Sequence, residues 1–236
     1  MKKQTIITIA ATAFLGTATL TTNIPVFNQP TVVCADTKSQ KEAVKKAKDY
    51  VKYDHVSKAN IRKQLIEWDD FSEEDAQYAV DHVKCNYKKA ALETAKDYVK
   101  NNHMSKEAIQ DQLTSEYEQF TEKEAEYAVK HLKADDKKTA LKRAKDLYKN
   151  SHLSKEGIYE TLFSPDLRFS EEDAQYAVDH LDVDYKEAAL AQAKEIQEAD
   201  AEFGDETNPD DVYSALISAY KFTEEEAQYA IDHLNN

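Results

Sequence analysis

The sequence predicts an all-α protein, and three observations support this fold class. The 236 residues include only three glycines and four prolines, too few turn residues for a sheet protein of this length. Strong helix formers, chiefly Ala, Leu, Lys, Glu and Gln, are abundant. Apolar residues also recur at the helical spacing i, i+3, i+4, i+7. We therefore expect helices along most of the chain after its N-terminal segment.

Four copies of one helical segment divide the chain into repeats. The copies read FSEEDAQYAVDHV, FTEKEAEYAVKHL, FSEEDAQYAVDHL and FTEEEAQYAIDHL, and they begin at Phe71, Phe120, Phe169 and Phe222. Their starts are 49, 49 and 53 residues apart. Agreement at this density indicates a tandem array. We expect four helical repeats at 36–83, 84–132, 133–181 and 182–236, the last of which carries an acidic insertion.

Each repeat is predicted to contain three helices in a helix-turn-helix-like arrangement. In the first repeat, helix one spans about residues 40–53, and Ser57 caps helix two. Ser72 caps helix three, with Asp75 completing a capping-box pattern. The predicted core face of helix three consists of Ala76, Ala79, Val80 and Val83. Because a three-helix unit this small buries little surface alone, we expect neighbouring repeats to dock.

The first 35 residues predict a secretory signal peptide. Two lysines precede an uncharged apolar stretch at 6–20, which is too short for a membrane span. Val33 and Ala35 supply the small residues that signal peptidase needs, so we predict cleavage after Ala35 and a secreted or cell-surface protein. The alternatives are lipidation of Cys34, whose neighbours match a lipoprotein signal poorly, and an uncleaved anchor. After cleavage, Cys85 is the one cysteine left, and nothing in the sequence decides whether it links two chains.

The charge of the chain restricts its partners. The formal net charge is −14, and loss of the two lysines of the signal peptide makes it about −16. So acidic a surface repels phosphate groups, which argues against nucleic acid and against direct membrane binding beyond an N-terminal anchor. The helix-turn-helix-like pattern does not change this expectation, because a DNA-reading helix would need basic residues.

No motif in the sequence indicates catalysis or a bound cofactor. A Gly-rich phosphate loop and a Gly-x-Ser-x-Gly elbow are absent, and no cysteine cluster or i, i+4 histidine pair indicates zinc. The acidic insertion at 202–211 lacks the pattern of a calcium loop, which favours a solvated loop over a weak calcium site. We therefore expect a non-enzymatic protein without a cofactor.

A tyrosine and a histidine recur four residues apart on helix three, opposite the predicted core. The pairs are Tyr78 with His82, Tyr127 with His131, Tyr176 with His180 and Tyr229 with His233. One interpretation is docking, in which each tyrosine covers the first helix of the next repeat and each histidine binds carbonyls at the helix end. The other is a contact strip for a protein partner, since tyrosine is enriched at interfaces. Because no repeat follows the fourth, an exposed Tyr229 beside three buried tyrosines would favour docking.

The order of the repeated residues resembles a known family. The second repeat has Ala-x-x-Tyr in helix one, Met-Ser-Lys before helix two, and Phe-Thr-x-x-x-Ala-x-Tyr-Ala-Val in helix three. The matching residues are Ala95, Tyr98, Met104, Ser105, Phe120, Ala125, Tyr127, Ala128 and Val129. With its counterparts in the other repeats, this pattern resembles the Ltp-like family of host cell surface-exposed lipoproteins over nearly all of residues 41–234.

The resemblance implies a location and a role. It implies helical repeats on the outside of Gram-positive cells. It also implies superinfection exclusion, in which a prophage-encoded protein binds a phage tail component, the tape-measure protein, and blocks delivery of a second phage's DNA. The alternative is a structural or adhesive protein of the cell surface or wall without a phage role. The oligomeric state is not predicted.

Overall fold

The computed structural model describes residues 36–203 and 206–234, and these ranges fold into helices joined by short connections. The predicted cleavage site and Cys34 lie outside the described residues. The helices are α1 Lys38–Tyr53, α2 Lys58–Glu67, α3 Glu73–His82, α4 Tyr87–Asp97, α5 Lys106–Thr114, α6 Glu122–His131, α7 Asp136–Ser151, α8 Lys155–Phe163, α9 Glu171–Asp179, α10 Tyr185–Phe203, α11 Pro209–Ser218 and α12 Glu224–His233. A π-helical turn, Tyr98–Asn102, continues α4.

Each consecutive set of three helices encloses its own hydrophobic core. We call these sets modules, so that α1–α3 form the first module and α10–α12 the fourth. The all-α, repeated architecture predicted from the sequence is confirmed. The repeat boundaries within the short connections stay a prediction.

Alanines form the contact between the first and third helices of each module. Within the described residues, sixteen of them are fully buried. They are Ala43, Ala47, Ala76 and Ala79 in the first module, Ala91, Ala95, Ala125 and Ala128 in the second, Ala140, Ala144, Ala174 and Ala177 in the third, and Ala189, Ala193, Ala227 and Ala230 in the fourth. A methyl side chain lets two helix backbones approach closely, and the larger Ile and Leu side chains of the second helix fill the remaining space. The predicted core face of helix three is therefore confirmed.

Helix starts follow the predicted caps. Ser57 Oγ accepts a hydrogen bond from the backbone N–H of Asn60 at 3.1 Å, as expected for the N-cap of α2. Helix α1 begins at Lys38, two residues before the predicted start, because Thr37 and Gln40 form a capping box there.

The capping box predicted for α3 is wrong in one respect. Ser72 accepts from the N–H of Asp75 as expected, but the Asp75 carboxylate accepts from Ser39 Oγ at 2.6 Å instead of binding the Ser72 backbone. The complete box forms in the second and fourth modules, where Glu124 and Glu226 stand at this position. The aspartate is one methylene shorter, so it satisfies its oxygens with a nearer donor.

Two buried serines connect the second module to the third and the third module to the fourth. Ser105 Oγ donates to the carbonyl of Leu167 at 2.6 Å, and Ser154 Oγ donates to the carbonyl of Tyr220 at 2.7 Å. Each serine also caps the second helix of its own module. Each serine hydroxyl therefore accepts a hydrogen bond from a backbone N–H of its own module and donates one to a backbone carbonyl of the next module. The buried hydroxyl and the carbonyl are thus both satisfied. The predicted docking of neighbouring repeats is confirmed.

We call the contacts between consecutive modules joints. Ion pairs cross the second joint, between the second and third modules, and the third joint, between the third and fourth modules. His103 Nδ1 lies 2.6 Å from Asp146 Oδ2, and His152 Nδ1 lies 2.9 Å from Glu195 Oε1. Further pairs across these joints are Lys106 with Asp136, Arg168 with Glu107 and Asp111, and Lys221 with Glu160. Because histidine and its carboxylate belong to different modules, each pair contributes to the joint and not to either core.

The first joint is built from hydrogen bonds. Thr94 Oγ1 donates to the carbonyl of His55 at 3.0 Å, and Asn60 Nδ2 donates to the carbonyl of Tyr117 at 3.1 Å. A difference in burial accompanies the joints: the phenylalanine before helix three is buried in the second, third and fourth modules but only half-buried at Phe71 in the first. The phenylalanine in the loop before helix three is therefore more buried where another module precedes its own.

Tyr185, at the start of α10, has a half-buried side chain whose hydroxyl is buried. Within the described residues that hydroxyl makes no hydrogen bond. Its ring packs edge-on against Tyr148, with 6.0 Å between ring centroids. Burial, and then the charge of Glu226, raise the pKa of Tyr185 to about 12. The folded chain thus favours the protonated phenol.

We expect Ala79→Asp to disrupt the first module. Ala79 is fully buried between α1 and α3, so a carboxylate there would lack a partner and cost about 3–5 kcal/mol of unfolding free energy. Urea unfolding followed by circular dichroism measures this loss. Ala59→Asp, at an exposed alanine in the first turn of α2, is the matched control and should change stability by less than about 0.5 kcal/mol. Equal effects of the two variants would contradict the core assignment.

We expect Tyr185→Phe to weaken the alkaline sensitivity of folding. The raised pKa means that the stability linked to this group is fully present below about pH 10, the ordinary pKa of tyrosine, and is lost as the pH rises through about 12. The phenylalanine variant should therefore lose less unfolding free energy between pH 10 and 12 than the parent protein. Tyr53→Phe, at an exposed tyrosine, is the control, and an identical pH dependence of all three proteins would refute the expectation.

Candidate partner-binding surface

The predicted tyrosine and histidine stack on each other in every module. The ring centroids of Tyr78 and His82 are 3.8 Å apart and their planes differ by 17°. In the other three modules the centroid distances are 4.0, 3.9 and 4.1 Å. The i, i+4 spacing places both side chains on one face of helix three. We call each pair, Tyr78–His82, Tyr127–His131, Tyr176–His180 and Tyr229–His233, a stack.

Each stack histidine binds the backbone of its own helix. His82 Nδ1 lies 2.8 Å from the carbonyl oxygen of Tyr78, and the corresponding distances in the other modules are 2.7, 2.8 and 2.8 Å. A carbonyl oxygen only accepts, so Nδ1 carries the proton and Nε2 is the acceptor of the neutral ring. The expectation that the histidines bind carbonyls at the helix end is confirmed.

The expectation that each tyrosine covers the first helix of the next repeat is wrong. The tyrosines contact the start of their own module: Lys88 lies over the ring of Tyr127, with Nζ 5.5 Å from the centroid. Lys137 and Lys186 occupy the same place over the tyrosines of the third and fourth modules, at 5.7 and 5.9 Å. Tyr229, which no module follows, is half-buried like the other three. Joints are therefore made elsewhere, and the stacks remain at the surface.

Hydrogen bonds fix the hydroxyl ends of two stacks. Tyr78 donates to Asp36, and Tyr229 donates to Glu187 at 2.9 Å. In both cases the hydrogen bond to a carboxylate is the main cause that raises the pKa of the tyrosine. The phenols therefore stay neutral and act as donors and as apolar surface.

Lysines and glutamates complete the surface around the stacks. Lys137 pairs with Glu172 at 2.5 Å, and Lys186 pairs with Glu225 at 2.6 Å. The hydrogen bond between the two groups raises the pKa of each lysine and lowers that of each glutamate. All four stay charged near neutral pH. A partner would thus meet a flat ring pair bordered by fixed charges of both signs.

The described residues offer neither a metal site nor a membrane-spanning helix. No group of three or more His, Cys, Asp or Glu side chains there is placed to hold a metal ion. Over the same ranges, no helix combines the length and the apolar character that crossing a bilayer requires.

The role of the joint histidines was not predicted from the sequence. His55, His103 and His152 follow the first helix of their modules in the left-handed conformation, with φ of 51°, 49° and 46°. Their recurrence two residues before a buried serine was the available signal. It did not indicate that two of them bind a carboxylate of the next module, because that acid lies about 43 residues further along the chain.

We expect the four stack histidines to be Nδ1-protonated at pH 8. The carbonyl acceptor four residues earlier selects this tautomer. Long-range ¹H–¹⁵N correlation spectra distinguish the two ring nitrogens, and the same protein unfolded in urea provides the reference. A native spectrum in which Nε2 carries the proton would rule out the described histidine geometry.

Comparison with known proteins identifies the family. A family model described as host cell surface-exposed lipoprotein matches residues 38–83, 86–132 and 135–181, which together exceed half of the chain. One solved structure, "Structure of Ltp, a superinfection exclusion protein from the Streptococcus thermophilus temperate phage TP-J34", is similar at 43% identity and a TM-score of 0.41, covering 42% of this chain and 100% of that one. The comparison with curated proteins gave no match. The chain therefore belongs to the Ltp family of host cell surface-exposed lipoproteins.

Proposed function

We propose that this protein is an extracellular, non-enzymatic binding protein that excludes superinfecting phage by blocking DNA injection. Family membership supports a location on the cell surface. The exclusion role comes from the resemblance in sequence to Ltp-like proteins. The observation that carries the binding function is the stack, because the same tyrosine–histidine ring pair recurs on all four modules.

The stacks suit a protein partner. A tyrosine offers a large, rigid contact area at a small entropic cost and one hydroxyl that can donate or accept. Its ring is already fixed by the histidine on one side and, in three modules, by a lysine on the other. Binding would therefore require little ordering of these side chains, which removes one cost of association.

Repetition of the stacks would let several weak contacts hold one partner with a high overall affinity. When one module has bound an extended partner, the next stack meets the same chain at a high local concentration, so affinity rises without any new kind of contact. The tape-measure protein of a phage tail is the partner that the family resemblance implies. Its capture at the cell surface would stall DNA passage by occupancy, without chemistry.

A phage challenge tests this function. A sensitive Gram-positive host expressing the full-length protein should adsorb phage normally and block DNA entry, and the two steps are scored separately. A variant with alanine at Tyr78, Tyr127, Tyr176 and Tyr229 should lose the block. The matched control has alanine at the preceding exposed positions, which are Gln77, Glu126, Gln175 and Gln228, and should keep it.

Three results would count against the proposal. Normal DNA entry across a broad phage panel in cells expressing the parent protein would reject exclusion and favour a structural or adhesive role. Full protection by the tyrosine variant, at an equal amount of surface protein, would reject the stacks as the contact. Loss of adsorption would place the effect at a receptor and not at DNA entry.

A further inference from the structure

An open cleft lies at the first joint, between the first and second modules. It encloses about 320 Å³ and is lined by residues of α2, of α4 and of the loop before α6. Trp68 and Tyr117 line it and are 69% and 75% exposed. Trp68 is the one tryptophan of the chain. Large aromatic side chains this exposed commonly mark a contact site.

The side-chain oxygen of Gln64, a residue that lines the cleft, has no donor. This residue of α2 lines the cleft and is only 7% exposed. Its Oε1 atom is buried and has no hydrogen-bond partner among the described residues. A buried amide oxygen without a donor costs free energy, and such atoms are uncommon in folded proteins. An amide oxygen only accepts, so a ligand that satisfies it must bring an N–H or O–H group.

The charges around the cleft favour a cation. Four carboxylates line it, those of Asp54, Glu67, Asp97 and Glu118, against the single ammonium group of Lys63. Glu118 is buried and accepts a hydrogen bond from Tyr98, whereas the other three are exposed.

The second and third joints show which contact the first joint lacks. Asp146 and Glu195 stand at the position of Asp97 in the following modules, and each binds a histidine of the preceding module. Asp97 has no ion pair or hydrogen bond within the described residues. At this joint His55 contributes its backbone carbonyl to Thr94. His55 is the counterpart of His103 and His152, so what the first joint lacks among the described residues is the histidine–carboxylate pair and not the histidine.

We propose that this cleft binds an arginine side chain presented by an extended segment of a protein partner. Asp97 pairs with the guanidinium as its counterparts pair with histidine at the other joints, Gln64 Oε1 accepts an N–H, and the exposed aromatic rings lie against the planar guanidinium. Guanidinium offers five donors in one plane and stacks on aromatic faces, which an ammonium group does less well. This inference rests on the proposed function only in that a protein presents the arginine.

Trp68 fluorescence tests the cleft directly. Acetyl-Gly-Gly-Arg-Gly-Gly-amide is titrated into the full chain at low and constant ionic strength, and the citrulline peptide of the same shape is the uncharged control. The arginine peptide should change the emission saturably, and the citrulline peptide should not. Asp97→Asn should weaken binding by about two- to fivefold, as expected for one exposed carboxylate. Glu224→Gln, which removes a charge from the fourth module, should leave the affinity unchanged.

The outcomes separate this inference from the proposed function. No response to the arginine peptide, an equal response to citrulline, or equal affinity of Asp97→Asn and the parent protein would overturn the cleft as an arginine site. In the phage challenge, protection by the parent protein and equal protection by a Glu67→Gln, Asp97→Asn variant would reject the cleft as a partner site while exclusion stands. Failure of the parent protein to protect, with a normal peptide titration, would reject exclusion and leave the cleft intact.

Discussion

The close approach of the first and third helices is the constraint on which the rest of the structure depends. The four fully buried alanines of each module permit it, but a methyl group contributes little apolar area. Each module therefore holds a small core that relies on a few Ile, Leu and Phe side chains. A unit of this size is marginal alone. Docking to a neighbour is thus a requirement of stability, and the buried serines and cross-module ion pairs follow from it.

The joints combine two kinds of interaction with different consequences. Buried serine hydroxyls, as at Ser105 and Ser154, satisfy polar groups that docking removes from water, so they specify how the loop of one module lies against the next. The histidine–carboxylate and Arg168 pairs are partly exposed and contribute less free energy, but they select which charged residues face each other. The first joint lacks these pairs among the described residues and is the one with an aromatic, acidic cleft.

The contacts that dock the modules and the stacks proposed to bind a partner lie on different parts of each module. Because the joints use loops and the first and second helices of the modules, the stacks on the third helix are left at the surface of every module. Identical surfaces on a docked array favour a long, repetitive or extended partner over a compact one. The cleft at the first joint differs from the stacks in chemistry, so a partner could be positioned at one end by an arginine and retained along the array by aromatic contacts.

Helical class, fourfold repetition, the caps and the alanine core face were determined by the sequence itself, because helical periodicity and capping are local properties of neighbouring residues. The tertiary structure decided three other matters. It directed the Asp75 carboxylate to Ser39, turned the stack tyrosines toward their own modules, and left Asp97 without the histidine contact that its counterparts make. Each depends on the reach of one side chain and on which groups lie near it in the folded chain, distances that cannot be read from local sequence patterns.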